Sequence, residues 1–175
     1  MKKAKFLFLV LFVSCTIASA QMRAFGGRIG CMSIGASGQY KIGKKNMLQI
    51  DLDLLNYNWG LQTTATYNWL FPVKSWRNCE LNVFTGLGAG GGFSWYKEYD
   101  NPFITPSDSW AQSWFVGAVY NLGFEINFNF GLQLSVEWRP LFAPYFYNGV
   151  YSPDFFIEGL WIGACAIGVR YKFNK

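Results

Sequence analysis

Two carboxylates two residues apart, Asp51 and Asp53 in NMLQIDLDLL (46–55), are the first feature of this 175-residue chain that could do chemistry. Acids that share one face can serve as general acid and base, as they do in glycoside hydrolysis. The usual partners for other chemistries are missing. With no histidine anywhere, a Ser-His-Asp triad and a histidine metal centre are excluded. The stretch GLGAGGGF (86–93) has the glycine density of a phosphate loop, yet it lacks a Lys-Ser/Thr ending and no helix follows it. Its glycines read better as a thinned strand wall that admits bulky neighbours or lets the strand bend. Of the cysteines, Cys31, Cys79 and Cys165 lie beyond the first twenty residues, and an odd count argues against a disulfide framework. A bridge between Cys31 and Cys165 stays open beside the plainer reading of small apolar side chains.

What the carboxylates can do depends on the elements that carry them. Leu48, Ile50, Leu52 and Leu54 alternate with Gln49, Asp51 and Asp53, a period that only an extended strand can use. The same alternation recurs. Leu61, Ala65, Tyr67, Trp69 and Phe71 oppose Gln62, Thr64, Thr66 and Asn68; Phe130, Leu132, Leu134, Val136 and Trp138 oppose Gln133, Ser135, Glu137 and Arg139. At the C-terminal end Ile167, Val169, Tyr171 and Phe173 oppose Arg170 and Lys172. Less regular strands are expected over 79–90 and 113–125, and two more near the start, with Arg28 and Lys41 on their polar sides. Together with a closing strand over about 156–173 they make eight. Short basic turns at 43–46, 72–78 and 126–129 contrast with longer loops at 96–111 and 142–155. Eight strands with both ends on the short-turn side form an up-and-down meander that can close.

The first twenty residues stand apart. Lys2, Lys3 and Lys5 precede an apolar run from Phe6 to Ile17, and Ala18-Ser19-Ala20 supplies small residues before Gln21, the pattern of a cleaved secretory signal. A lipidated start at Cys15 is the rival reading. The domain proper then runs from 21 to 175. The chain's 15 basic residues, less those three lysines, leave the domain 12 against 10 acidic, which removes the surplus that nucleic-acid binding needs. No apolar stretch is long enough for a spanning helix. With aromatics at 20% and charged residues at 14%, the domain is all-β and either secreted or membrane-embedded.

The contents of the faces separate these two. The polar face collects Asp51, Asp53, Glu80, Glu125 and Glu137 against Arg28, Lys41, Arg139, Arg170 and Lys172. Five acids meet five bases, the balance expected of a closed lumen, where ions are tolerable only when paired. The other face is uncharged along the middle of every strand. It ends in aromatics, with Tyr40, Tyr67, Trp69, Phe71, Phe124, Tyr171 and Phe173 towards the short turns and Trp59, Trp95, Trp114, Trp138 and Trp161 towards the long loops. Paired girdles around an apolar band belong to outer-membrane barrels. In that setting Asp51 and Asp53 are structural partners of nearby bases rather than an acid–base pair. No cofactor is expected.

Gly168-Val169-Arg170-Tyr171-Lys172-Phe173 resembles the outer-membrane β-signal, Gly-x-x-aromatic-x-aromatic, with Gly168, Tyr171 and Phe173 at the matching positions. It departs in having Ala166 where a polar residue is usual and Asn174-Lys175 behind the last aromatic. Gly-Arg-Ile-Gly, Gly-Gln-Tyr-Lys, Thr-Tyr-Asn-Trp and Leu-Ser-Val-Glu-Trp-Arg-Pro extend the likeness over 23–173, and the domain resembles small outer-membrane β-barrel proteins of Bacteroidota, of the OmpA or OmpX type. The resemblance implies residence in the bacterial outer membrane, contact with its lipid and lipopolysaccharide, and insertion by the barrel assembly machinery. It supplies no active site. The long loops, with Lys97, Glu98, Asp100, Asp108, Asp154 and Glu158 among many aromatics, could stack on sugars, bridge to lipopolysaccharide through divalent cations or dock a protein partner. They could equally rest at the lipid–water boundary. The expectation is a non-enzymatic membrane component serving adhesion, envelope integrity or a larger complex. The alternatives are a lipid- or glycan-modifying enzyme using carboxylates and a secreted, lipocalin-like carrier.

Overall fold

The computed structural model describes residues 21–56, 59–97, 110–147, 150–152 and 162–173. The expected secretory segment 1–20 lies outside them, as do Trp161 and the loop acids Glu98, Asp100, Asp108, Asp154 and Glu158. The strands are β1 (Gln21–Gly30), β2 (Ser33–Lys41), β3 (Asn46–Leu55), β4 (Gly60–Ser75), β5 (Cys79–Lys97), β6 (Trp110–Phe128), β7 (Leu132–Trp138), β8 (Leu141–Phe142), β9 (Tyr145–Tyr147), β10 (Val150–Ser152) and β11 (Cys165–Lys172). Each of β1 to β6 pairs antiparallel with the next strand, β7 pairs with both β6 and β11, and β11 returns to β1. The result is a closed, eight-stranded antiparallel barrel, and closure leaves no open edge in that ring.

The seventh stave is longer than the alternation suggests. Leu122 faces Trp138, Val119 faces Leu141 and Ser113 faces Tyr147, one unbroken register along β6. Pro140 and Pro144 have no N–H to donate, so they divide this stave into β7, β8 and β9 without detaching it from the wall. The segment 142–147 is therefore barrel wall, where the sequence suggested the start of the 142–155 loop. β5 and β6 likewise extend past their expected ends, and GLGAGGGF is strand throughout. The closing strand begins at Cys165 after a 3-10 turn at Ile162–Ala164, while 156–161 lie outside the described residues. At the β6–β7 turn, Gly131 takes a φ of 95°, a left-handed conformation that glycine adopts without strain.

Alternation sorts the side chains. Gln49, Asp51, Asp53, Gln62, Thr64, Thr66 and Asn68 are buried inside, while Phe25, Ile29, Leu52, Leu54, Leu87, Val116, Ile167 and Val169 are exposed outside. The interior is not uniformly polar. Leu55, Phe115, Val119, Leu141 and Ala143 form a buried apolar layer towards the long-loop end. The inward glycines of β5 make room for it: a Cβ on Gly90 would lie 3.0 Å from Val119 and one on Gly92 2.8 Å from the Phe115 ring.

Candidate functional site

Among the described residues the interior holds the densest collection of polar and charged groups. Arg139, the residue after β7, forks between two acids of β3: Nη2 donates to Asp53 Oδ2 at 2.7 Å and Nη1 to Asp51. Arg28 from β1 donates to the same Asp53 oxygen at 2.6 Å. On β11, Arg170 spends all three of its nitrogens, on Ser37 at 2.8 Å, Ser135 at 2.7 Å and Glu137 at 2.6 Å. Gln49 joins the halves, giving its amide to Asp51 Oδ2 at 3.1 Å and Glu137 Oε2 at 2.9 Å. Its own carbonyl accepts from Gln39 at 3.1 Å, and the Gln39 carbonyl accepts from Arg23 at 2.7 Å. Arg23 in turn pairs with Glu125, which Asn82, Asn127 and Gln133 also serve.

Four arginines thus face four carboxylates in one connected web. Such ions are stable away from water only when each is matched and hydrogen-bonded. Asp51, Asp53, Glu125, Glu137, Arg28, Arg139 and Arg170, all expected on the lumenal face, are brought together there. Three others are not. Lys41 and Glu80 are exposed and Lys172 is half-buried, and none of them is in an ion pair among the described residues. Their strand parity points inward as expected, but they occupy the last rungs, where the barrel opens to solvent.

Their place in the charge balance is partly taken by Arg23, which the sequence reading missed. Strict alternation from Ala24 and Arg28 puts residue 23 outside. A register shift between Met22 and Ala24 in the β1–β2 ladder marks a bulge there, and bulges re-aim side chains. The apolar layer was also missed, although Phe115 and Val119 share parity with Asn121 and Glu125.

Of the positions that resemble a β-signal, Tyr171 and Phe173 are exposed on the outer face and meet edge to face at 5.3 Å. Gly168 faces inward, where a Cβ would sit 2.7 Å from Arg170 Nη1, so its bareness makes room for the guanidinium. Cys31 and Cys165 are cross-strand neighbours at the end of the β1–β11 ladder, with Cys31 N–H donating to the Cys165 carbonyl at 3.4 Å. No disulfide forms among the described residues.

As acid–base candidates, Asp51 and Asp53 are fully buried and committed to arginines. No group of three or more metal-ligating side chains occurs among the described residues. The fold and this interior define a class, the closed eight-stranded barrel with a paired ionic filling. No protein-family model, curated protein or solved structure matches the chain.

Proposed function

We propose that the chain is an integral outer-membrane protein, an up-and-down transmembrane barrel of non-enzymatic role whose surface loops serve adhesion, envelope integrity or docking in a larger membrane complex. One observation carries the reading: on the outer face no charged residue interrupts the runs Phe25–Cys31, Ile34–Ile42, Leu48–Leu54, Leu61–Val73, Leu81–Trp95, Trp114–Phe128, Leu132–Phe146 or Cys165–Phe173, taking alternate positions in each. Large apolar side chains are exposed all around the ring. Water would not tolerate so continuous an apolar surface on a monomer, whereas hydrocarbon requires it. Even the polar outward pair of Thr85 and Tyr120 is internally satisfied, the threonine hydroxyl donating to the phenol at 2.9 Å.

Backbone groups in lipid must all be bonded internally, and a closed ring of strands meets that demand. The apparent secretory leader and the β-signal-like end fit the same route, through the barrel assembly machinery to the outer membrane. The commitment of Asp51 and Asp53 to arginines weighs against carboxylate catalysis, and an interior filled with ion pairs weighs against a carrier of apolar ligands.

The test is fractionation with and without boiling. The protein should sediment with outer membranes, resist carbonate extraction, and run faster on a gel when unboiled. A mature form that remains soluble without detergent overturns the reading. Purification in mild detergent, with identification of what accompanies it, then asks whether a protein partner exists.

A further inference from the structure

We propose that the short-turn mouth of the barrel is a binding site for a phosphate-bearing anion. A cavity of about 730 Å³ opens there, and among the described residues its lining includes Lys41, Lys44, Lys45 and Lys172 against a single side-chain carboxylate, Glu80. Arg23 also lines it, but its charge is already met by Glu125. None of the four lysines makes an ion pair among the described residues. The interior beneath is neutral on its own account, so these charges are not needed to balance the filling.

The fold gathers them deliberately in space. Lys41 ends β2 and Lys172 ends β11, the two strands that flank β1, where they stand opposite Gln21 and Ala24. Both have inward parity, and the β2–β3 turn supplies Lys44 and Lys45. Like charges at one mouth repel one another, and a multivalent anion relieves that repulsion. A phosphate monoester fits better than a carboxylate, because it brings more than one negative charge and three acceptor oxygens to several ammonium groups. The cavity exceeds the size of inorganic phosphate. Met22, Leu70 and Phe173 on its wall offer apolar contact to whatever carries the phosphate, which is either a lipid headgroup or a small soluble phosphate ester. The inference goes beyond the membrane reading and stands apart from it, since the cavity belongs to the closed barrel in any surroundings.

The test uses the folded protein in a maltoside detergent, or in buffer should it prove soluble. Pyrophosphate is titrated by calorimetry, and retention of phosphatidic acid against phosphatidylcholine is read by native mass spectrometry. We expect at least one of the two phosphates to bind, with affinity falling as salt rises. The double variant Lys41→Gln/Lys172→Gln should weaken that binding by about tenfold or more. Lys74→Gln should change it by less than about twofold, because Lys74 is at the same end but lies over the Trp76 ring, 5.2 Å from its centroid. Pyrophosphate binding without lipid identifies a soluble ligand; retention of phosphatidic acid alone identifies a headgroup. The proposal is overturned if neither probe binds, if the double variant binds as the parent does, or if Lys74→Gln weakens binding equally. Should the double variant not fold, Lys44→Gln/Lys45→Gln in the exposed turn takes its place with the same expectation.

Discussion

Arg139 and Arg23 make a controlled comparison of what a buried guanidinium contributes. Removing Arg139 strands two fully buried carboxylates, leaving Asp51 with the Gln49 amide and Asp53 with Arg28. Removing Arg23 strands one, and Glu125 keeps the amides of Asn82, Asn127 and Gln133. Arg23 is also slightly open to solvent, at 12% exposure of its side chain. Breaking a buried pair from one side costs about 3–5 kcal/mol, and losing a hydrogen bond to a charged group about 1.5–3 kcal/mol. Arg139→Met should therefore destabilise by the larger amount and Arg23→Met by the smaller, measured by urea unfolding in vesicles. Equal losses, or a larger loss at Arg23, would contradict the web as described.

At the scale of the element, the wall of β5 is thin where β6 and β7 are thick. Leucine at Gly90 would press its Cβ to 2.7 Å from Thr64 and 3.0 Å from Val119, and overpacking of that kind costs about 1–3 kcal/mol. Gly27, outside on β1, has nothing nearer than the Gly35 carbonyl at 3.7 Å. Gly27→Ala should be neutral to within about 0.5 kcal/mol, while Gly90→Leu lowers the unfolding midpoint clearly; the pair can be read from one set of heat-modifiability gels. Elements were also where the sequence was most legible. Alternation in 46–55, 61–71 and 130–140 set the inner and outer faces of β3, β4 and β7 because pleating allows no other sorting. It could not give depth. Lys41, Glu80 and Lys172 carry inward parity, but the distance of a rung from the mouth depends on strand stagger, which no single strand encodes. Nor could it show the bulge that turns Arg23 inward, or that two prolines interrupt hydrogen bonding without ending the stave at Pro140.

For the molecule as a whole, closure and filling are separate properties, each with its own measurement. Closure brings Cys31 beside Cys165 while Cys79 is far off on β5. Adjacent antiparallel residues fall within the reach of a disulfide, so copper-phenanthroline oxidation should join Cys31 to Cys165 within one chain and leave Cys79 out, as peptide mass spectrometry would reveal. A Cys31–Cys79 product would mean that the first and last strands are not neighbours. Filling is a matter of permeation. With the ionic web and the layer of Leu55, Phe115, Val119, Leu141 and Ala143 in place, side chains fill the narrow interior that eight strands enclose. Planar bilayers containing the protein should show no steady large conductance, and a stable open level would refute the plugged interior.

The partners in the web come from far apart along the chain: 102 residues separate Arg23 from Glu125 and 88 separate Arg139 from Asp51, and Glu137 has no guanidinium of its own until Arg170 arrives with the final strand. In the membrane setting proposed above, a cylinder without its closing strand would leave Glu137 in oil with no guanidinium. Closing the ring then has an electrostatic reward beside the backbone one, because the strand that joins β7 to β1 also carries the cation Glu137 lacks, and Cys165–Lys172 acts as the latch.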